Sequence, residues 1–255
     1  MVEGFYDDLA EDYHLIFADW ERSMTYQGGV LDALLRDHDR PVRRVLDAAC
    51  GIGTQALPLA RVGYDVTATD VSAAAVRRCA REAARRDLRV ATSVADMRSL
   101  RVGRFDAVIA VDNALPHLLT DADLALACGS LHRALEPGGV LLASIRDYDA
   151  ILLDRPPGEL PRAFGDRIVV QLWEWTEQER YTVRHLLLAL DDGTWRGTER
   201  RTTYRALRRE TLTAALVDAG FDAVAWRMPS ETGFYQPIVS ARRPSAQTAT
   251  GRTRR

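Results

Sequence analysis

Aspartates recur in this 255-residue chain where short apolar runs end, and small residues follow the first of them. The densest segment is Val45-Leu-Asp-Ala-Ala-Cys-Gly-Ile-Gly-Thr54. Gly51 and Gly53 lack a Cβ and let the backbone turn tightly beside a ligand, at the strand end where open α/β sheets bind ligands. Ala49 belongs to the same floor. The spacing Gly51-x-Gly53-x-x-Ala56 also fits a dinucleotide fingerprint. Asp47 argues against that ligand, because a diphosphate rests on a helix amino terminus and a carboxylate just before the glycines would repel it. A ligand with a cationic amino-acid end suits Asp47 better.

Asp70 closes the run Tyr64-Asp-Val-Thr-Ala-Thr-Asp70, and its two oxygens can accept both hydroxyls of a ribose, with Val71 beside them. Asp96 and Met97 follow the next apolar run, one able to accept a hydrogen bond from an adenine amine and the other to pack on the ring. Val111 and Asp112 end the fourth run. S-adenosylmethionine, with an ammonium, a sulfonium, a ribose and an adenine, suits these groups, with a nicotinamide dinucleotide the competing ligand that the glycine spacing suggests.

The elements that must position these residues are read from periodicity. Val42 to Leu46, Tyr64 to Thr69, Leu88 to Val94, Phe105 to Val111 and Gly139 to Ile145 are predicted strands, several nearly continuous in apolar residues, as doubly covered strands are. Ser72 and Thr120 are predicted to cap helices between them, the second ending at Glu136-Pro137-Gly138-Gly139. This alternation predicts a Rossmann-like, doubly wound, mostly parallel seven-stranded sheet of the α/β class. After Ile145 it stops. Ile168 to Trp175, Tyr181 to Leu190 and Trp195 to Ala206 read as three strands of a small antiparallel insertion, with a turn at Asp191-Asp192-Gly193. A helix closed by Gly220 and strands near Val224 to Arg227 and Tyr235 to Ala241 complete the sheet. The expected organisation is therefore N-terminal helices forming a lid over residues 1–40, a core over 41–152, a β cap over 153–206, a C-terminal part over 207–243 and a disordered tail over 244–255.

Composition narrows the function. A net charge of -2 supplies no positive field for nucleic acid. All 34 basic residues in the Lys+Arg count are arginines, which excludes lysine Schiff-base chemistry and a P-loop lysine. Cys50, Cys79 and Cys128 form no CxxC pair, so neither a disulfide framework nor a structural zinc site is indicated, and no apolar run reaches membrane-spanning length. A cytoplasmic protein acting on a small molecule is expected, with no nucleic-acid or membrane partner and no metal. An exposed aromatic strand of the cap is a candidate dimer surface, and a homo-oligomer is open.

On these residues the chain resembles the class I methyltransferases, and within them the glycine and sarcosine N-methyltransferase group. The glycine turn has that group's Ala-Cys form, Asp112-Asn-Ala-Leu-Pro-His-Leu118 resembles its Gly-Asn-Ser-Phe-Ala-His-Leu, and Arg146-Asp-Tyr-Asp-Ala-Ile-Leu152 resembles its Arg-Asn-Tyr-Asp segment. The likeness spans residues 6–153. It implies that Asn113 and Arg146 line the acceptor pocket, with Arg146 gripping a substrate carboxylate through its fork. It also implies that His117 meets the methionyl end of the cofactor, and that Tyr6, Tyr13 and Arg22 face the cofactor from a lid. Asp112 stands where the group has glycine and Asp147 where it has asparagine, which argues against glycine as acceptor. The expected reaction is methyl transfer to the nitrogen of an amino acid or amine, which as a neutral amine needs no strong base; a phenol or carboxylic acid would have to lose its proton first, with Asp112 and His117 the candidates for taking it. O-methylation of a secondary metabolite and a non-catalytic cofactor-binding protein are the alternatives.

Overall fold

The computed structural model describes residues 2–176 and 179–245; the expected tail lies outside the described residues from 246 onward. Two helices, α1 (Val2–Leu9) and α2 (Trp20–Arg36), precede the alternating core. That core runs β1 (Arg44–Asp47), α3 (Ala56–Arg61), β2 (Asp65–Asp70), α4 (Ala73–Arg85), β3 (Val90–Val94), β4 (Phe105–Ala110), α5 (Asp121–Ala134) and β5 (Leu135–Ser144). After α6 (Tyr148–Asp154) come β6 (Gly158–Ala163), β7 (Arg167–Trp175), β8 (Arg180–Asp191) and β9 (Thr194–Arg205), and then α7 (Arg209–Asp218), β10 (Asp222–Arg227), α8 (Pro229–Thr232) and β11 (Ile238–Arg242).

The main sheet has seven strands in the order β10-β11-β5-β4-β1-β2-β3, parallel except where β11 pairs antiparallel with β5 and β10. The chain leaves β1 toward one edge and returns to β4 on its other side, so the sheet order reverses at the carboxyl ends of these strands and opens a crevice there. Burial explains the central run: Ala107, Val108, Ile109 and Ala110 of β4 have no exposed surface because apolar layers cover both faces. One layer brings Leu124, Leu131 and Leu212 from α5 and α7, the other Leu31, Leu59 and Cys79 from α2, α3 and α4. Each fully buried leucine contributes about 1.5–3 kcal/mol. The expected caps form: Ser72 Oγ accepts from the Ala75 N–H at 3.0 Å and Thr120 Oγ1 from the Asp123 N–H at 3.0 Å.

Three boundaries differ from expectation. Helix α5 stops at Ala134, and Glu136 to Gly139 lies inside β5, where a register shift against β4 marks a bulge; Pro137 is tolerated there because a bulged position need not donate to the ladder. The cap has four strands rather than three. Its edge strand β6, Gly-Glu-Leu-Pro-Arg-Ala, escapes a periodicity reading because a bulge between Glu159 and Arg162 breaks the alternation around Pro161. The last strand begins at Ile238, which leaves Tyr235 and Gln236 in a loop. The β8–β9 turn is the two-residue loop Asp192-Gly193, both at positive φ (46° and 75°) with Asp191 opposite Thr194, as a type I′ hairpin requires.

Cap strands alternate faces, so cross-strand rows are shared. On the inner face, Trp175, Tyr181 and Tyr204 form one row, Trp173, Val183 and Thr202 the next, and Glu159, Gln171, His185 and Arg200 the third. Trp173 and Trp175 pack on Tyr181 with ring centroids 5.0 and 4.6 Å away, whereas Trp195 is exposed. Among the described residues no helix is long and apolar enough to cross a membrane.

Candidate functional site

A cavity of about 330 Å³ opens at the carboxyl ends of β1, β2 and β4, and Ala49, Gly51, Asp70, Val71, Asp96, Met97, Val111, Asp112 and His117 all line it, as do Tyr6 and Tyr13. Gly51 sits at φ 51° with nothing within 4 Å of where a Cβ would be, an open bay in the floor. Its N–H donates to one Asp70 oxygen (2.9 Å) and the Ser72 N–H to the other (2.9 Å), which fixes the carboxylate while leaving each oxygen a lone pair. Burial raises the Asp70 pKa against the pull of these N–H groups.

Asp47, expected at the cofactor, does not itself line the cavity: it is 1% exposed, behind the lining residues Ala48 and Ala49. One oxygen accepts from the Ala49 N–H at 3.3 Å, and the other is buried with no hydrogen-bond partner. Burial pushes its pKa up to about 7, opposed by the Ala49 N–H and reinforced by the carboxylates of Asp70 and Asp112. An orphaned, buried carboxylate oxygen asks for a cation or a donor. Together with Asp70 and Met97, this donor set fits S-adenosylmethionine.

Two expectations are corrected, those for Gly53 and Arg22, and Asp96 keeps its expected place with an arginine partner added. Gly53 does not line the cavity; at φ 99°, a Cβ there would stand 2.9 Å from both Cys79 Sγ and Leu57 Cγ, so glycine is needed for packing. Asp96 lines the cavity, but both its oxygens are bound by Arg98, whose Nη2 approaches to 2.6 Å, and this guanidinium lowers the carboxyl pKa. Arg22 is exposed and lines no cavity at this site. Asp19 caps α2 through the Arg22 N–H (3.0 Å), and with Trp20 and Met24 of that helix buried, Arg22 is turned outward.

A second cavity of about 540 Å³ adjoins the first between lid, core and cap, and Tyr6, Tyr13 and Asp112 line both. The Tyr6 hydroxyl is 2.8 Å from His117 Nε2, and burial drives the His117 pKa down to about 3, so the ring is neutral. Asp112 and Asn113 take positive φ (46° and 54°), a costly backbone region held here by three bonds. The Asp112 N–H donates to Ser144 Oγ (2.9 Å), and Asn113 Oδ1 accepts from the Arg146 N–H (3.1 Å) and the Tyr148 hydroxyl (3.0 Å). Asn113 Nδ2 is left buried and unpartnered. The Asp112 carboxylate accepts from the Tyr235 hydroxyl, and burial raises its pKa despite that bond and the nearby Arg146 charge.

Arg146 lines this second cavity, but its fork is engaged. It donates to the Tyr181 hydroxyl (2.9 Å), Glu159 (3.2 Å) and Gln171 (3.4 Å), and its guanidinium lies 4.9 Å from the Trp173 ring. Asp147 is likewise paired, capping α6 and meeting Arg209 at 2.8 Å. Sequence reasoning missed Glu159, Gln171, His185, Thr202 and Tyr235 in this wall. Only strand alternation in the cap could have pointed to His185 and Thr202; Tyr235 arrives through a loop 123 residues from the aspartate it contacts.

Residues 45–139 match the family model of a methyltransferase domain. That stretch is a methyltransferase domain. Among relatives of this methyltransferase domain, the glycine/sarcosine N-methyltransferase of Parasynechococcus marenigrum is 35% identical over 137 residues, covering 52% of this chain and 48% of that protein. The chain thus spans about half the length of that relative. Among solved structures, a S-adenosylmethionine-dependent methyltransferase from Clostridium acetobutylicum superposes with a TM-score of 0.76 at 14% identity, covering 94% of this chain and 99% of that one. The sugar N-methyltransferase KedS8 from Streptoalloteichus gives a TM-score of 0.74 at 21% identity, covering 91% and 93%. At such identities these two likenesses establish the fold alone.

Proposed function

We propose that this protein transfers the methyl group of S-adenosylmethionine to the nitrogen of a small-molecule amine. The observation that carries the reading is Asp112, a carboxylate of raised pKa in the wall shared by the cofactor-sized cavity and the larger one. S-adenosylmethionine supplies a methyl group on a positively charged leaving group, so the protein needs to align a nucleophile, exclude water and manage one proton. An amine reaches the second cavity as an ammonium, and Asp112 draws it to the boundary between the cavities. Its raised pKa suits it to take the proton that must leave before the nitrogen lone pair forms the new N–C bond as the S–C bond breaks. His117, neutral with a pKa about 3, is too weak a base for that proton. Tyr6 and Tyr13 close the lid over the transfer point. The N-methyltransferase activity of the Parasynechococcus relative supports nitrogen as the acceptor atom.

The test is calorimetric titration with S-adenosylmethionine followed by transfer of a labelled methyl group to a panel of amines, amino acids and phenols. Micromolar binding with label on amine nitrogen is expected. Label on phenols alone would make the enzyme an O-methyltransferase, and binding without transfer to any acceptor would remove the catalytic reading.

A further inference from the structure

The cap wall of the second cavity holds polar groups with no protein hydrogen-bond partner. His185, 3% exposed, leaves both ring nitrogens without a hydrogen bond, and Thr202 Oγ1 and Trp173 Nε1 beside it are in the same condition. Buried polar atoms in native folds are nearly always paired with protein, water or ligand, so several groups without a protein partner on one cavity wall form a polar surface that a ligand can complete. They sit in register: Thr202 and Trp173 each pair across β8 with Val183, and His185 follows two residues on, so all three face the same side.

The chemistry of these groups selects the ligand. Burial and the guanidiniums of Arg200 and Arg162 lower the His185 pKa to about 4, which leaves a neutral imidazole with one donor and one acceptor. Thr202 likewise donates and accepts, and Trp173 donates. A hydroxyl, itself donor and acceptor, complements that set; a carboxylate, with no donor, leaves the imidazole acceptor unpaired. The charges agree. Asp112, Asp147 and Glu159 line the cavity with Arg146 and Arg162, and Asp147 is paired with Arg209, so the lining offers no surplus positive charge to a carboxylate. Arg146 is already bound to Glu159 and cannot grip a substrate carboxylate without breaking that pair.

We infer that His185, Thr202 and Trp173 form a hydroxyl-binding subsite, and that the acceptor is a hydroxylated amine of the amino-sugar kind rather than an amino acid. The nitrogen lies toward Asp112 and the hydroxyls against the inner cap strands. This rests on the methyltransferase reading above and names the substrate class of that site.

The experiment uses the full chain saturated with S-adenosylhomocysteine, titrated with methyl 3-amino-3-deoxyglucopyranoside, cyclohexylamine and glycine. The amino sugar is expected to bind at least about tenfold more tightly than either other amine. His185→Leu and Thr202→Val are each expected to weaken it about tenfold, as loss of a hydrogen bond in a buried site does, while leaving cyclohexylamine and S-adenosylhomocysteine binding unchanged; His185→Gln, which keeps a donor and an acceptor, recovers part of the loss. If His185→Leu fails to fold by thermal melting, Thr202→Val, nearly isosteric, decides. Glycine binding more tightly than the amino sugar, no amino-sugar binding by protein that binds S-adenosylhomocysteine, or equal losses for cyclohexylamine would overturn the inference. Failure to bind S-adenosylhomocysteine would instead overturn the methyltransferase reading.

Discussion

The hydroxyl of Tyr6, on the first helix, lies 2.8 Å from Nε2 of His117, on the turn after β4, so the N-terminal helix is bonded to the core at the wall of the cofactor-sized cavity. The His117 ring in turn packs, tilted, against Tyr204 of the cap, with ring centroids 4.1 Å apart. The first helix, the core and the cap strands therefore meet at one imidazole. Tyr6→Phe removes the bond and keeps the ring packing. Since such bonds contribute about 0.5–1.5 kcal/mol net, the variant is expected to bind S-adenosylmethionine roughly three- to tenfold more weakly in calorimetry, with the melting temperature nearly unchanged. Equal affinity would show that the bond plays no part in closing the site.

Asp47 is expected to make cofactor affinity depend on pH. Its pKa is raised from 3.8 to about 7, so the folded protein holds the proton more tightly than the unfolded chain does, and this group's contribution to stability declines as pH rises between those values. Binding a cationic ligand favours the charged carboxylate and reverses the shift. Affinity for S-adenosylmethionine is therefore expected to rise from about pH 5.5 to about 7.5 with release of a proton, read as a dependence of the calorimetric heat on buffer ionisation enthalpy. Asp47→Asn should abolish that release and weaken binding by about tenfold or more at the upper end of that range. An unchanged proton count in the variant would assign the titration to another group.

The core was legible in the sequence because its signals are local. Continuous apolar runs mark doubly covered strands, Ser72 and Thr120 mark helix starts, and a carboxylate at a strand end must emerge at the crevice. The cofactor-sized cavity follows from these, apart from Gly53, whose neighbours Cys79 and Leu57 are set by packing, and Asp96, whose partner Arg98 is fixed by a single turn. The second cavity was not legible in the same way. Its walls come from β6 with its bulge, from alternate residues of β7 to β9 and from the Tyr235 loop, and nothing in one strand states which face turns inward. The engagement of Arg146 by Glu159 depends on how the cap folds back, a relation between segments that no motif encodes.

Arg146 ties the cap to the core, and a lysine cannot replace it. Its guanidinium reaches Tyr181, Glu159 and Gln171 at once, whereas an ammonium is a compact charge on a flexible stem. Arg146→Lys is expected to weaken binding of an acceptor amine by about tenfold or more, while sparing S-adenosylmethionine, whose cavity Arg146 does not line. Parallel titrations with both ligands check this. A matching loss for the cofactor would mean that Arg146 supports the whole crevice rather than the acceptor side.

Asp112 can be tested with little structural disturbance. It sits at φ 46°, a conformation asparagine tolerates as well as aspartate does, and the amide oxygen that an asparagine brings there could still accept a bond from Tyr235. Asp112→Asn therefore removes the charge and the proton-accepting capacity alone. If Asp112 holds the ammonium and takes its proton, kcat/KM for an amine acceptor should fall by about 10²-fold or more, the usual range for loss of a general base, with the cofactor dissociation constant little changed. The pH profile distinguishes this from simple misplacement. Wild-type activity should rise with pH as Asp112, raised by burial, loses its proton, and that limb should be absent in the variant, whose residual activity follows only the free-amine fraction in solution. A variant with reduced kcat/KM but the same acid limb would transfer the titration to another group and leave Asp112 a positioning residue.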